Sequence, residues 1–120
     1  MLCVGGAGAL PYYTNWPTLD FRGLNDPHIA RSPIKNRGRI AHEHFADAEY
    51  MRKRGVVVFD SLNQLVHEGD VSHLAKHAAL RGDDYWQLRA VRLGKHTMVF
   101  STLVSEAEFR RTFEHLEILF

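Results

Sequence analysis

The sequence predicts an α/β domain: one small mixed sheet with a C-terminal hairpin, covered by about three helices. Three observations carry that expectation. Residues 42–54 have a partial apolar stripe (Phe45, Ala48, Tyr50, Met51) and end in Lys53 and Arg54, cations that suit the negative end of a helix dipole. A single glycine, Gly55, joins them to the β-branched run Val56-Val57-Val58-Phe59, which is how a helix is coupled to a buried strand in α/β units. Residues 85–92 then alternate, with Tyr85, Gln87, Arg89 and Val91 on one side and Trp86, Leu88 and Ala90 on the other. Gly94-Lys95 supplies a turn, and residues 96–104 return as the second strand of a hairpin.

Taken in order, Leu2–Val4 is an apolar run stopped by Gly5-Gly6, as expected of a buried strand ending in a tight turn. Residues 7–13 form a short helix or an irregular segment, interrupted by Pro11. Thr18-Leu19-Asp20-Phe21 alternates as a strand does, and Gly23 stops it. Asn25-Asp26-Pro27 reads as a helix start, since Asn or Asp caps a helix and proline suits its first position; the helix over 28–31 is short. Residues 32–41 form a basic, turn-rich loop, expected to be the most mobile part of the chain. The stretch 60–84 is polar apart from a predicted helix over 71–80. Ser105 with Glu108 has the spacing of a capping box for a closing helix to about residue 115.

Composition narrows the function classes. The 120 residues fit one domain with a single core, and 45% hydrophobic with 24% charged residues is ordinary for a globular chain. Fifteen basic and fourteen acidic side chains leave a formal charge of +1, so no global field recruits nucleic acid, and none is expected as a partner. A lone cysteine, Cys3, excludes an internal disulfide and a cysteine-based zinc site. No apolar run approaches the roughly 20 residues that span a bilayer. The chain begins inside a predicted buried strand with only Met1 ahead of it, so it is expected to be a piece of a longer protein.

Residues 5–31 concentrate the candidate chemistry. A glycine-rich turn is followed by the rings of Tyr12, Tyr13 and Trp16 and by the polar groups of Asp20, Asn25, Asp26 and His28, a set suited to lining a pocket. The rings suit stacking on a sugar or a prenyl chain, and equally suit a core. Asp20, Asp26 and Glu43 are the carboxylates available for acid–base work, although Asp26 also reads as a helix cap. Gly6 and Gly8 start a dinucleotide-type fingerprint whose third glycine is replaced by Pro11, so a tight turn is the better reading. His42-Glu43-His44 has the wrong period for two ligands on one helix face. His73 and His77 have the right one, but no third ligand accompanies them. Neither a metal nor a cofactor is expected, and no serine or cysteine sits in a nucleophile elbow.

The segments Gly6-Ala-Gly-Ala-Leu-Pro-Tyr-Tyr-Thr, Leu19-Asp20 and Gly23-Leu-Asn-Asp-Pro-His-Ile-Ala-Arg31, with His42-Glu43, Tyr50 and Val56–Phe59 after them, carry a resemblance. Over about residues 3–60 the chain resembles the extracytoplasmic C-terminal region of polytopic bacterial membrane glycosyltransferases. These are of the arabinofuranosyl- and mannosyltransferase-like kind that use lipid-linked sugar donors. The resemblance implies a periplasmic accessory domain, attached to the membrane through an N-terminal transmembrane portion that this sequence lacks, with the catalytic carboxylate in that missing portion. It implies a glycan or a lipid-linked sugar as partner. Tyr12, Tyr13, Trp16, Asp20, Asn25, Asp26, His28, His42 and Glu43 are the candidate ligand-binding residues, with no catalytic role assigned to any. The alternative is a stand-alone α/β module in the cytoplasm that binds a nucleotide or phosphate at Gly5–Gly8, or that mediates protein contacts.

Overall fold

The computed structural model describes residues 1–5, 9–34, 37, 43–62, 64–80 and 87–120, with side chains omitted at 9, 10 and 77–80. The chain is of the α/β class and contains both parallel and antiparallel strand pairs. It divides into two compact units, Met1–Val56 and Val57–Phe120.

The first unit is built on β1 (Leu2–Val4) and β2 (Thr18–Asp20), which run parallel in the register Leu2↔Thr18, Cys3↔Leu19, Val4↔Asp20. A parallel pair needs a crossover, and α1 (Ala9–Thr14) lies within it. Pro11 falls in the first turn of α1, where its missing N–H has no helical acceptor to lose. The helix stops at Asn15, whose N–H donates to the Pro11 carbonyl (3.0 Å) and whose φ of 58° is one asparagine tolerates. After β2 the chain turns into α2 (Pro27–Ala30), with Asp26 as its cap and Pro27 in the first position, as the sequence predicts. The next helix, α3 (Ala48–Lys53), starts at its cap Asp47 and not at residue 42, because the Asp47 carboxylate accepts the Tyr50 N–H (2.7 Å) while residues 43–47 remain non-helical. Leu2, Cys3, Val4, Leu19, Ile29, Met51 and Val56 are buried in this unit.

Gly23 is required where it stands. Its φ is +88°, and a Cβ there would lie 2.8 Å from the Ala30 amide nitrogen and 2.9 Å from Ile29 Cγ2. Gly23→Ala therefore combines a left-handed backbone with an overlap against main chain, and is expected to destabilise the protein by about 2 kcal/mol. Urea denaturation followed by circular dichroism checks this; a loss within about 0.5 kcal/mol would contradict it.

In the second unit β6 (His96–Thr102) pairs antiparallel with β5 (Gln87–Leu93) along one edge, from Gln87↔Thr102 to Leu93↔His96. Along its other edge lie β3 (Val58–Phe59) and β4 (Val66–Glu68). The hairpin turn is Gly94-Lys95, with Gly94 at φ 60°. Tyr85 and Trp86, with which the predicted hairpin begins, lie outside the described residues. Two expectations are corrected here. The run Val56–Phe59 contributes only two half-buried strand residues, Val58 and Phe59, instead of a doubly buried strand. The strand buried along nearly all its length is β6, whose polar Thr97, Ser101 and Thr102 hide its character in the sequence. The apolar tail forms a further edge: Ala90 and Arg92 donate to the carbonyls of Phe120 (2.9 Å) and Glu117 (2.8 Å), and Leu119 donates back to Ala90 (2.8 Å). Helix α4 (Ser72–Leu80) precedes the hairpin and α5 (Glu106–Thr112) follows it, capped by Ser105 Oγ on the Glu108 N–H (3.3 Å). Among the described residues five helices form: α3, α4 and α5, which match the three expected covering helices, and the short α1 and α2.

Candidate functional site

The turn from β2 to α2 organises the first unit. Asp20 ends β2 fully buried, and its Oδ1 accepts the N–H groups of Arg22 (2.7 Å) and Gly23 (3.1 Å). Asn25 closes the loop from the other side, its Oδ1 accepting the Asp20 N–H (2.8 Å) and its Nδ2 donating to the Thr18 carbonyl (3.1 Å). These two predicted site residues thus meet in one turn, where both side chains satisfy backbone groups. Asp20 Oδ2 is enclosed and meets no donor among the described residues. The buried Cys3 thiol is pushed up to about 12, first by burial and then by the charge of Asp20, so it stays protonated and supplies no nucleophile at neutral pH.

Asp26 and His28 belong to a second cluster, which includes two residues from the α3 region. Asp26 is 3% exposed, and its Oδ1 accepts the N–H groups of His28 (2.9 Å) and Ile29 (3.1 Å). Its Oδ2 accepts the Tyr50 hydroxyl (2.8 Å) and a short hydrogen bond from Arg54 Nη1, which also donates to the Tyr50 oxygen (2.9 Å). Four donors on one carboxylate tie α2 to α3. Burial opposes ionisation of Asp26, but the Ile29 N–H, the Tyr50 hydroxyl, the Arg54 charge and the His28 N–H outweigh it and hold its pKa below the usual carboxylate range. The exposed His28 imidazole stacks on the Tyr50 ring, centroids 4.1 Å apart and planes 17° apart. Arg54 is the member that sequence reasoning placed only as a helix-end cation. The signal available for it is its i,i+4 spacing from Tyr50.

The aromatic candidates lie outside the core. Tyr12 and Tyr13 are each 81% exposed and Trp16 is 49% exposed; the two tyrosine rings meet edge to face at 5.2 Å. Among the described residues no hydrogen bond or ring contact joins these rings to the Asp20 or Asp26 clusters. Glu43 is half-buried and lines a cavity of about 150 Å³ with Ser32, Pro33, Phe45, Ala46 and Asp47. His42 lies outside the described residues, as do Gly6, Gly8 and most of the predicted basic loop. Among the described residues no three His, Cys, Asp or Glu side chains come together as metal ligands.

These features define an α/β domain in which the interior carboxylates hold turns and helices together while rings and the His28 imidazole are presented to solvent. A family model described as "Domain of unknown function (DUF8728)" matches residues 1–112, and the chain belongs to that family. No curated protein and no solved structure matches it.

Proposed function

We propose that this chain is the extracytoplasmic domain of a membrane glycosyltransferase-like protein, where it helps to bind a glycan acceptor or a polyprenyl-phosphate sugar and is not the catalyst by itself. The observation that carries this reading is the exposure of Tyr12 and Tyr13, 81% each, beside the half-exposed Trp16. Rings that bury little area against their own protein are available to stack on the apolar face of a sugar or on an isoprenoid chain. The sequence pattern from Gly6 to Arg31 supports the same reading through the resemblance it carries. The turn-holding roles of Asp20 and Asp26 fit a binding module. Among the described residues no helix is long and apolar enough to cross a membrane, so this reading assigns attachment to a portion outside this chain.

Binding to a mannose oligosaccharide, an arabinose oligosaccharide and a mannosyl-phosphoryl polyprenol in detergent micelles, followed by tryptophan fluorescence, tests the proposal. Wild type is expected to saturate with at least one of them. The double variant Tyr12→Ala/Tyr13→Ala is expected to lose about tenfold in affinity, roughly 1.4 kcal/mol, while its melting temperature stays unchanged because neither ring is in the core. No saturable binding by wild type, or equal binding by the double variant, overturns the proposal.

A further inference from the structure

The cluster around Tyr50 presents hydrogen-bond donors outward and keeps its acceptors inside. Both oxygens of Asp26 are occupied, each by two donors, and the carboxylate is almost wholly enclosed. The Tyr50 oxygen donates to Asp26 and accepts from Arg54. Asn25, the neighbouring amide, has its oxygen and nitrogen engaged by the β2 backbone. What faces solvent is the rest of the Arg54 guanidinium and the His28 ring. Arg54 is 39% exposed and engages through its Nη1; Nε and Nη2 have no partner among the described residues. Because the guanidinium is a rigid planar fork, fixing one nitrogen on Asp26 and Tyr50 also fixes the direction of the free edge. The stack on Tyr50 likewise holds His28, which as an exposed side chain would otherwise sample several rotamers. Both groups contact the same phenol ring: His28 stacks on its face, and Arg54 Cζ lies 5.7 Å from its centroid. The exposed Lys53 adds positive charge on the preceding residue.

We infer that His28 and Arg54, braced by Tyr50 and Asp26, form a binding site for the phosphate group of a phosphate ester. The inference rests on the proposed function in one respect: it makes the phosphate of a polyprenyl-phosphate ligand the group that this site receives. The shared chemistry is a phosphate dianion or diester, whose several oxygens accept from a guanidinium edge and an imidazole N–H together. The arrangement costs side-chain freedom on two elements, α2 and α3, and it leaves donors without acceptors at the surface.

The test follows the His28 ring resonances of the 120-residue chain by NMR at fixed pH and ionic strength, adding inorganic phosphate, farnesyl phosphate or farnesol, with chloride as the control. Phosphate and farnesyl phosphate are expected to shift His28 saturably, and farnesol and chloride are not. Followed through the Tyr50 ring resonances, which both variants retain, His28→Gln and Arg54→Lys are each expected to weaken farnesyl phosphate binding about tenfold. His28→Gln keeps the backbone N–H that Asp26 caps, so its melting temperature is expected to hold and a loss of binding cannot be ascribed to unfolding. Absence of a saturable shift with both phosphates, or equal binding by both variants, overturns the inference. If inorganic phosphate binds as tightly as farnesyl phosphate, the phosphate site stands and the lipid source falls. If His28→Gln and Arg54→Lys bind farnesyl phosphate as wild type does while Tyr12→Ala/Tyr13→Ala loses the sugar ligands, this inference fails and the proposed function survives.

Discussion

Phe109→Ala is expected to destabilise the second unit by about 4 kcal/mol, because it removes a whole ring from a packed interior and leaves a cavity that the backbone cannot close. Phe109 is fully buried and is the buried residue of α5. Its ring lies 5.1 Å from that of Phe113 and 6.2 Å from that of Phe100, and the Arg89 guanidinium sits 4.7 Å above it. Phe100 is on β6, so the same ring that seats α5 also fixes that helix on the strand through which the unit's antiparallel pairs run. Phe109→Leu keeps most of the volume and is expected to cost about 1.5 kcal/mol. Urea unfolding of both variants, read by circular dichroism, checks the pair of values. An alanine variant that loses less than about 1 kcal/mol would mean that the three rings do not act as one packed group.

How much of this was legible beforehand differs between elements for identifiable reasons. The hairpin, the Ser105 cap and the Asp26-Pro27 helix start were readable because each depends on residues within a few positions of one another. The class followed from the glycine-joined helix and strand, even though that strand proved to be only Val58–Phe59. Strand β4 escaped notice, since Val66-His67-Glu68 is an exposed edge whose order comes from pairing with Met98, Thr97 and His96 some thirty residues away. The tail escaped for the same reason, as its partner Val91 is distant in sequence from Ile118. In the candidate site the Asp26 cap was legible and the grouping of the polar residues was not. Asp20 with Asn25, and Asp26 with His28, are neighbours in the chain, but the contribution of α3 through Tyr50 and Arg54 depends on a fold that periodicity does not specify. The exposure of Tyr12, Tyr13 and Trp16 was likewise undecided in the sequence, because aromatic residues serve cores and surfaces alike.

Asp26→Ala is expected to be the most damaging change within the first unit, at about 3 kcal/mol. Removing the cap from α2 accounts for roughly 1 kcal/mol. The remainder comes from leaving the Tyr50 hydroxyl and Arg54 without their acceptor, discounted because Arg54 is partly exposed and water takes up some of its hydrogen bonding. Asp26→Asn separates the two contributions: its amide oxygen still caps α2, but an amide nitrogen in place of Oδ2 cannot accept from Tyr50 or Arg54, so this variant should lose about 2 kcal/mol, the part that depends on that acceptor. The pH dependence has a definite sign. Because the folded state holds the Asp26 carboxyl below its ordinary value of about 3.9, the stability that this ionisation contributes is fully present above that pH and is lost as pH falls through the lower folded value. The difference in stability between wild type and Asp26→Asn should therefore be constant above about pH 5, begin to shrink below about pH 4, and go on shrinking until pH has passed the lower folded value. Using the difference removes the parallel effect of Asp70 and Glu106, whose carboxyls are also held low and are unchanged by the substitution. A gap that stays constant down to about pH 2 would show that the ionisation of Asp26 adds nothing to the tie between α2 and α3 beyond its hydrogen bonds.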